Sequence, residues 1–448
     1  MSSNNSEIST KILMKSLVIG IIGQGYVGLP LAMAFAKKVK VIGFDVSEKT
    51  INLLKSGKSH IIDVTNETIS QSLSEETYVP SSDSAMLAEC DVIIICVPTP
   101  LGKDKIPDMS YIRSASATIS KILHKGQYVV LESTTYPGTT EEVMLPILEE
   151  GSGLTAGKDF FVAFSPERID PGNKQFTIDQ VPKVVGGMNP DVTKVICEVY
   201  HLAIPQVVPV SSTQAAESVK MVENIFRHVN IALINELAQI FEKMDVNTWE
   251  VVAAAATKPY GFMPFYPGPG VGGHCIPLDP YYLSYKAKQY GSVSRFIEIA
   301  GEINDDMKIH TINLASKGLK TVGKKLYHAK VAVIGLSYKK DIDDVRESPS
   351  IGLLEELVNL GSKIVVYDPF AAHIHTATGD FASEKSLQDA LNGSDCAIFM
   401  VDHSQFHSVD IVEMSRCMAS PIIIDAKNLY EPHDGIIYLG IGKAHQNL

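Results

Sequence analysis

One layout occurs twice in this chain of 448 residues: a strand, a glycine-containing turn, a helix, and a second strand that ends at an aspartate. The first copy starts with a predicted strand at residues 17–22 and reaches Asp45, and the second starts at Lys330–Ile334 and reaches Asp368. Alternation of strands and helices is typical of parallel, doubly wound sheets. We therefore predict an α/β fold with two Rossmann-like domains.

The region between the two copies has a different periodicity. Residues 219–243 are apolar at helical spacing and contain neither glycine nor proline, which predicts one long central helix that joins the two domains. The length of the chain also exceeds what one hydrophobic core usually organises. We assign residues 1–15 to a disordered tail, 16–210 to the first Rossmann domain, 211–320 to a central helical domain and 321–448 to the C-terminal Rossmann-like domain.

The composition excludes several classes of protein. The net charge is −12 and the lysines and arginines form no block, so we expect no nucleic-acid partner. Residues 16–36 are apolar, but glycines and a proline interrupt them at turn spacing, so we expect no membrane span. The six cysteines show neither C-x-x-C pairing nor zinc-ligand spacing, which predicts reduced thiols, no metal site and a cytoplasmic location.

The turn of the first copy reads G-x-G-x-x-G and lies between a predicted strand and a predicted helix. Such glycines allow a tight turn, close approach of a pyrophosphate and close packing of the helix on the strand. Asp45 ends the next strand, where a carboxylate accepts from an adenine-ribose hydroxyl and repels a 2′-phosphate, which favours NAD over NADP. A purely structural turn is the alternative. The candidate cofactor-binding residues of the turn are Gly23, Gly25, Tyr26, Val27 and Gly28.

Hydroxyl side chains follow two later strands of the first domain. Thr99 follows the predicted strand 92–97, and Ser133 and Thr134 follow the strand Tyr128–Leu131. Ligands of open parallel sheets lie beyond the carboxyl ends of the strands. These hydroxyls are therefore candidates for contacts with ribose, nicotinamide or water, with capping and turn formation as the alternative.

A proline-bounded loop, SPERIDPG, carries Glu167, Arg168 and Asp170. A carboxylate in such a loop can act as a general base. A solvated loop charge is the alternative.

Three polar residues lie on one face of the long predicted helix. Lys220, Asn224 and Arg227 occupy positions i, i+4 and i+7, and neighbours such as Val222 and Ile225 are apolar. Buried polar groups require partners. We therefore predict a ligand-binding role for this face, with a hydrogen-bond network between domains as the alternative.

The segment PGPGVGGHCIPLDP places Cys275 directly after a run of glycines and four residues before Asp279. Glycines let a backbone approach a ligand and leave N–H groups bare for anionic oxygens. A thiol at this point would be a nucleophile beside a phosphate-bearing substrate, with Lys220 as the candidate that raises its thiolate fraction. His274 is expected to point away from the thiol, because adjacent side chains of an extended loop point apart. A tight structural turn is the alternative.

Together these motifs resemble those of the UDP-glucose/GDP-mannose dehydrogenase family over nearly the whole chain. The matching segments are GQGYVGLPLA with Asp45, VPTP, STTYPGTT, SPER, K-x-x-x-N on the long helix, GPGVGGHCIPLDP and GLSYKKDIDDVRESPS. The resemblance implies a UDP-sugar substrate and oxidation of its C6 alcohol to a carboxylate in two steps with two NAD⁺. It also implies a role in supplying a surface polysaccharide.

The resemblance implies a covalent mechanism on Cys275. The thiol would add to the C6 aldehyde as a thiohemiacetal, which a second oxidation converts into a thioester for hydrolysis. The other catalytic residues that it implies are Lys220 and Asp279 for proton transfer, Asn224 for the oxyanion, Glu167 as the base of hydrolysis and Thr134 for positioning water.

The same resemblance implies how the substrate is held. Amides of the glycine loop would bind the diphosphate, Lys339 would reach the substrate from the C-terminal domain, and Arg346 would contact the cofactor. The chain departs from the UDP-glucose enzymes at Asp170 and Pro171, where those enzymes carry a second glutamate. The candidate substrate-binding residues are Glu167, Arg168, Lys220, Asn224, Arg227, Tyr266, Gly268, Gly270, Gly272, Gly273 and Lys339.

Two segments, NIFRHVNIALINELA and KPYGFMPFYPGPG, look closest to the branch that oxidises N-acetylated sugars, and the second resembles UDP-N-acetylglucosamine 6-dehydrogenases. We expect UDP-N-acetylglucosamine as the substrate, with UDP-N-acetylmannosamine, UDP-N-acetylgalactosamine and UDP-glucose as alternatives. Further alternatives are a two-step oxidation in which the cysteine has no role, a dehydrogenase that stops at the aldehyde, and a non-catalytic NAD-binding regulator. The apolar face of the long helix favours a homodimer or higher homo-oligomer, although it could equally be buried within one chain.

Overall fold

The computed structural model describes residues 3–61, 63–102, 105–168, 180–273 and 275–444. The chain forms two compact units. The first comprises residues 1–223 and 281–292, and the second comprises residues 224–280 and 293–448. The boundary between Glu223 and Asn224 falls within one long helix.

An eight-stranded sheet forms the centre of the first unit. Its spatial order is β3-β2-β1-β4-β5-β6-β7-β8, and every neighbouring pair is parallel except β6 with β7. These strands are near-continuous runs of valine, isoleucine and phenylalanine, as expected where both faces of a parallel sheet are buried. The strands are β1 Val18–Ile22, β2 Lys40–Phe44, β3 Tyr78–Ser81, β4 Val92–Ile95, β5 Tyr128–Leu131, β6 Phe161–Phe164, β7 Lys183–Gly187 and β8 Val207–Pro209.

The register of the central strands determines where the ligand-binding edge lies. Ile22 of β1 is opposite Phe44 of β2 and Ile95 of β4, so the segments that follow these three strands emerge at one edge of the sheet. Helices pack on the sheet and bury the two apolar faces. They are α1 Ser3–Leu13, α2 Gly28–Ala36, α3 Glu48–Lys55, α4 Asn66–Ser74, α5 Ser110–Ser120, α6 Leu145–Ser152 and α7 Pro190–Tyr200, with a 3₁₀ helix at Ser84–Glu89 and a π turn at Thr140–Met144.

Several of these helices begin where the sequence supplies a capping side chain. Ser47, Thr65 and Asn189 each accept a hydrogen bond from the main-chain N–H three residues later, at the starts of α3, α4 and α7. A side-chain oxygen at this position satisfies one of the N–H groups that a helix leaves unpaired. Local chemistry therefore fixes the beginning of each of these helices.

The prediction of a disordered tail over residues 1–15 is wrong for Ser3–Leu13, which form α1. Ile8 is buried in the core of the first unit, where Val199 of α7 belongs to the same cluster. Ser9 Oγ donates to Glu198 Oε2 at 2.6 Å, and Lys11 Nζ lies 2.6 Å from Asp91 Oδ1. The polar composition concealed an apolar residue that fixes the helix to the domain.

A smaller parallel sheet forms the centre of the second unit. Its order is β10-β9-β13-β14-β15, and a separate antiparallel hairpin joins β11 to β12. The prediction of two Rossmann-like domains is confirmed. The strands are β9 Lys330–Ile334, β10 Lys363–Tyr367, β11 His373–Thr376, β12 Gly379–Ala382, β13 Cys396–Phe399, β14 Ile422–Asp425 and β15 Ile437–Gly440.

The long helix predicted at residues 219–243 begins earlier, at Thr213, and ends at Lys243 as predicted. We number it α8. The remaining helices are α9 Thr248–Ala255, α10 Asp279–Gln289, α11 Arg295–Thr321, α12 Pro349–Asn359, α13 Leu387–Leu391 and α14 Ile411–Ser415, with a 3₁₀ helix at Ser404–Ser408.

Candidate active site

The three glycines of the first turn meet different surroundings. A Cβ on Gly23, whose φ is +93°, would lie 2.4 Å from the carbonyl oxygen of Cys96, and one on Gly28 would lie 1.9 Å from that of Gly23. A Cβ on Gly25 would meet no atom within 4 Å. Gly23 and Gly28 are therefore required by the fold, whereas Gly25 leaves open space for a ligand.

Asp45 lies directly after β2 and faces this turn. Its Oδ2 accepts from the Gln24 main-chain N–H at 2.8 Å, and its Oδ1 accepts from that of Ser47 at 2.8 Å. The turn leads into the N-terminus of α2, which begins at Gly28, so unpaired N–H groups and a carboxylate occur together. This arrangement suits a dinucleotide, and the contacts of Gly25 with the pyrophosphate and of Asp45 with the adenine ribose stay predictions. Tyr26 is exposed beside the turn, and Val27 directly precedes α2.

The hydroxyl residues after β4 and β5 have different environments. Ser133 Oγ accepts from the main-chain N–H of Val97 at 2.9 Å and donates to its carbonyl oxygen at 2.8 Å. Ser133 therefore joins the ends of two strands, which is the structural alternative. The Thr99 carbonyl oxygen accepts from Tyr282 Oη, and Thr134 is half-buried. Ligand contacts by Thr99 and Thr134 stay predictions.

Glu167 is 6 % exposed, so the alternative of a solvated loop charge is wrong. Its Oε1 accepts from the main-chain N–H of Arg168 at 2.7 Å, and its carbonyl oxygen accepts from Lys220 Nζ at 2.6 Å. The structure thus brings together two residues that the sequence predicts to act in the same reaction.

Two charged residues beside Glu167 were missed by the sequence predictions. Lys183, at the start of β7, forms an ion pair with Glu132, which follows β5, and its Nζ lies 3.4 Å from Glu167 Oε2. Tyr200 Oη donates to Glu132 Oε2 at 2.6 Å. Removing one partner of a buried ion pair costs roughly 3–5 kcal/mol. The sequence did contain one indication of this pair, because a lysine is the first residue of an otherwise apolar strand. Buried lysines are nearly always paired with an acidic group.

Burial and neighbouring charge act together on this cluster. Burial raises the pKa of Glu132 to about 7, the charge of Glu167 adds to the rise, and Lys183 opposes it. Burial lowers the pKa of Lys183, but the two carboxylates outweigh it, so that pKa lies above its ordinary value. Lys183 is therefore positively charged at neutral pH.

Arg168 is already bonded within the first unit. Its Nη2 lies 2.6 Å from Glu223 Oε1, and its Nη1 donates to the carbonyl oxygen of Pro182 at 2.6 Å. Its substrate-binding role stays a prediction. The departure at Asp170 and Pro171 lies outside the described residues, as does His274.

In the second unit, Cys275 and Asp279 belong to one turn. The Asp279 N–H donates to the Cys275 carbonyl oxygen at 2.9 Å, and α10 begins at Asp279. Asn224 Nδ2 donates to Asp279 Oδ2, and Arg227 Nη2 donates to Asn224 Oδ1. Asn224 and Asp279 are buried, whereas Arg227 is exposed. Four of the predicted residues therefore form one connected arrangement.

The cysteines differ in exposure. Cys275 is half-buried, whereas Cys90, Cys96 and Cys396 are buried. Burial raises the pKa of Cys90 to about 12 and also raises the pKa of Cys96 and Cys396. A buried thiol of raised pKa is chemically inert, so these three are core residues, whereas Cys197 and Cys417 are half-buried like Cys275.

The glycine loop before Cys275 lies against the segment that follows β9. A Cβ on Gly272 would lie 2.7 Å from Pro349 Cδ, and one on Gly273, whose φ is +86°, would lie 2.8 Å from the ring of Tyr338. These two glycines are thus required for packing, as the structural alternative proposed. Gly268 donates its N–H to Asn235 Oδ1 at 3.0 Å.

A pocket of about 180 Å³ lies between this loop and the carboxyl ends of β9, β13 and β14. Gly270 and Lys339, which the sequence predicts for one ligand, both line it. Lys340 and Lys427 also line it, and burial lowers the pKa of Lys427. Three lysines beside a glycine loop suit an anionic ligand.

The second strand-turn-helix copy differs from the first in its aspartate. Asp368 Oδ2 accepts from the N–H groups of Leu336 and Ser337 at 2.6 and 3.1 Å and from buried His403 Nε2 at 3.0 Å. Burial raises the pKa of Asp368, but these hydrogen bonds, chiefly that of His403, lower it to about 2. The Asp368 carboxylate therefore holds the main-chain N–H groups of its own turn and the ring of His403.

Two further predicted residues of the second unit bond to their neighbours. Arg346 forms a bidentate ion pair with Asp344, at 2.9 and 2.7 Å. Tyr266 stacks on Trp249 with ring centroids 5.4 Å apart. Their assignments to the cofactor and the substrate stay predictions.

Three family domains match the chain in order. They are the NAD binding domain over residues 17–204, the central domain over 214–306 and the UDP binding domain over 332–432. The chain belongs to the UDP-glucose/GDP-mannose dehydrogenase family. It is thus an NAD-dependent nucleotide-sugar dehydrogenase.

Relatives of this family member are similar over their whole length. Protein CapL of Staphylococcus aureus is 41% identical, with 87% of this chain and 90% of the relative covered. UDP-N-acetyl-D-glucosamine 6-dehydrogenase of Pseudomonas aeruginosa is 37% identical, with 93% of this chain and 98% of the relative covered. The structure of a UDP-D-ManNAc dehydrogenase from Pyrococcus horikoshii matches with a TM-score of 0.89 at 34% identity. The match covers 96% of this chain and 100% of the Pyrococcus chain. Across the described ranges, the helices are too short or too polar to cross a membrane.

Proposed function

We propose that this enzyme oxidises the C6 alcohol of UDP-N-acetylglucosamine to the uronic acid in two steps. One observation carries the covalent part of the proposal: the turn of Cys275 is joined through Asp279 to Asn224 and Arg227. A half-buried thiol in a turn that is hydrogen-bonded to polar side chains suits a nucleophile, whereas the buried cysteines do not.

The proposed chemistry uses residues that the family motifs assign. NAD⁺ would accept the hydride in both oxidations. Cys275 Sγ adds to the C6 aldehyde, and Asn224 and Lys220 stabilise the resulting oxyanion. Loss of a second hydride leaves a thioester. Glu167 takes a proton from water, the water oxygen attacks the thioester carbon, and the Cys275 thiolate leaves and regains a proton.

An N-acetyl group at C2 of the sugar requires room and matched polar partners. Arg227 is exposed and carries donors, and Tyr266 is exposed in an aromatic loop that also contains Tyr260 and Phe262. Aromatic faces can pack against a sugar ring or an acetyl methyl. The named relative of Pseudomonas aeruginosa supports UDP-N-acetylglucosamine. A second candidate is UDP-N-acetylmannosamine, which the similarity to the Pyrococcus structure favours.

A screen of NADH production over purified UDP-sugars tests the substrate. We expect kcat/KM for UDP-N-acetylglucosamine well above that for UDP-glucose, because sites that hydrogen-bond a group reject analogues without it by up to about 10⁴–10⁵. Arg227→Ala should lose much of this preference, and Arg113→Ala, at an exposed arginine of α5, serves as the matched control that should keep it. Comparable kcat/KM for UDP-glucose in the unaltered enzyme would refute the N-acetyl assignment.

We also propose that the enzyme is a cytoplasmic homodimer. Its six cysteines are free of disulfides in the structure, which suits a reducing compartment. Phe226, Leu233 and Ile240 repeat every seven residues along α8 and are 44, 50 and 44 % exposed. Exposed apolar residues that repeat along one side of a helix are typical of an interaction surface. Light scattering should give a dimer mass, and Leu233→Glu should lower it to that of one chain.

A further inference from the structure

Glu167 lies beside the buried ion pair of Glu132 and Lys183, so three charged side chains meet where an ion pair requires two. The side chains of Glu132, Lys183 and Glu167 are 0, 5 and 8 % exposed. Lys183 and Tyr200 each contact one oxygen of Glu132, and the side chain of Glu132 also hydrogen-bonds that of Glu167. A second carboxylate beside the same ammonium is therefore not explained by the stability of the Glu132–Lys183 pair.

These groups come from separate elements that meet at the carboxyl edge of the first sheet. The titratable and charged groups that face Glu167 are Glu132 after β5, Lys183 of β7, Tyr200 of α7, Cys96 after β4, Lys220 of α8 and the adjacent Arg168, which pairs with Glu223. Burial raises the pKa of Tyr200 and Cys96, so both are neutral and add no charge. The local charge is set by the carboxyl groups of Glu132 and Glu167, of which Glu132 has a pKa raised to about 7, and by two ammonium groups.

The ammonium groups contact Glu167 in different ways. Lys220 Nζ donates to the Glu167 main-chain carbonyl, whereas Lys183 Nζ faces its carboxylate at 3.4 Å. An opposite charge at such a distance favours the ionised carboxylate, and the low polarity of the site strengthens the effect. Lys183 itself is held from the other side by Glu132, which competes with Glu167 for the same positive charge.

We propose that Lys183 is a positioning residue that keeps the Glu167 carboxylate ionised and oriented for water activation, and that Glu132 holds Lys183 in place and moderates its charge. The proposal rests on the proposed function of Glu167 as the base of thioester hydrolysis. Glu167 gains one proton in that step and must release it before the next turnover. The paired ammonium and the second carboxylate let the cluster accept that proton without burying an uncompensated positive charge.

The proposal predicts different changes for two substitutions. Lys183→Met removes the positive charge, so the acid limb of the pH profile for acid formation should move up by about one pH unit or more. Burial raises the pKa of Glu132 to about 7, so Glu132 is largely protonated across the acid limb and Glu132→Gln should leave that limb in place. Lys183→Arg retains the charge and should remain close to the unaltered enzyme. KM for UDP-N-acetylglucosamine should change little in all three, because none of these side chains is assigned to bind the sugar.

The test uses the full chain with NAD⁺ and limiting UDP-N-acetylglucosamine across a pH series. Acid release is followed by chromatography, and the acyl adduct on Cys275 is followed by intact mass. At acidic pH, Lys183→Met should accumulate the adduct while its first NADH appears at the unaltered rate. Lys324→Met breaks the Lys324–Asp395 pair of the second unit and serves as the matched control, with an unshifted pH profile. Thermal unfolding and NAD binding report folding of each variant.

Several results would overturn the proposal. If the acid limb of Lys183→Met does not move to higher pH, the Glu132–Lys183 pair is only structural. If Lys183→Met does not fold, Lys183→Gln provides the neutral replacement: an acid limb at the position of the unaltered enzyme refutes the proposal, and an acid limb at higher pH supports it. Failure of the proposed function looks different, because the unaltered enzyme would then form no acid at any pH.

Discussion

Substitutions of Gly25 and Gly28 should separate cofactor binding from folding. A Cβ on Gly28 would lie 1.9 Å from the Gly23 carbonyl oxygen, so the start of α2 must move by more than an ångström to relieve the overlap. Overpacking of this kind costs about 1–3 kcal/mol. For a unit of this size, that loss lowers Tm by roughly 2–4 °C per kcal/mol. The Tm of Gly28→Ala should therefore be several degrees lower than that of the unaltered chain.

Gly25→Ala should behave in the opposite way. Its Cβ would meet no protein atom within 4 Å, so Tm should stay close to that of the unaltered enzyme. The added methyl would occupy the space proposed for the pyrophosphate, and we expect NAD to bind at least tenfold more weakly, which corresponds to about 1.4 kcal/mol. Calorimetric titration with NAD and a thermal unfolding scan measure the two quantities on the same sample. Unchanged NAD affinity in Gly25→Ala would refute the placement of the pyrophosphate.

Three further outcomes are expected. Cys275→Ser should abolish acid formation and retain NAD binding, and near-normal turnover of Cys275→Ala would exclude the covalent mechanism. Asp45→Ala should weaken NAD binding and narrow the NAD/NADP preference, whereas an unaltered enzyme that prefers NADP would contradict the role of Asp45. Glu217 accepts from Gly138 N–H and Thr140 N–H, and burial raises its pKa to about 7. The protonated carboxyl group of Glu217 stabilises the folded state, and this contribution is fully present below the ordinary pKa of a glutamate. As the pH rises through the pKa of about 7, the contribution is lost, which lowers the free energy of unfolding by up to about 3 kcal/mol. Glu217→Gln should flatten that part of the stability profile, as measured by denaturant unfolding against pH.

The features that could be predicted from the sequence depend on short segments. The turn of Gly23, Gly25 and Gly28 and the carboxylate of Asp45 follow from one strand-turn-helix pattern, because each residue acts through its own backbone or the next strand. The Cys275–Asp279 turn is equally local. Periodicity was enough to predict α8, although α8 starts six residues before the predicted position.

The features that could not be predicted depend on distant partners. Lys183 and Glu132 are 51 residues apart, and only the order of β5, β6 and β7 in the sheet brings them to Glu167. His403 and Asp368 come from two different segments of the second unit in the same way. Helix α1 was missed because its anchoring residue, Ile8, is buried in a core that residues far along the chain complete. A single sequence shows that a charge must find a partner but not which partner it finds.

The most direct test of the proposed two-step oxidation is the number of NADH molecules formed per UDP-N-acetylglucosamine. With the sugar nucleotide limiting and NAD⁺ in excess, the covalent mechanism predicts two NADH and one uronic acid for each sugar consumed. A reaction that ends at one NADH, with the aldehyde as its product, would contradict the assigned roles of Cys275 and Glu167.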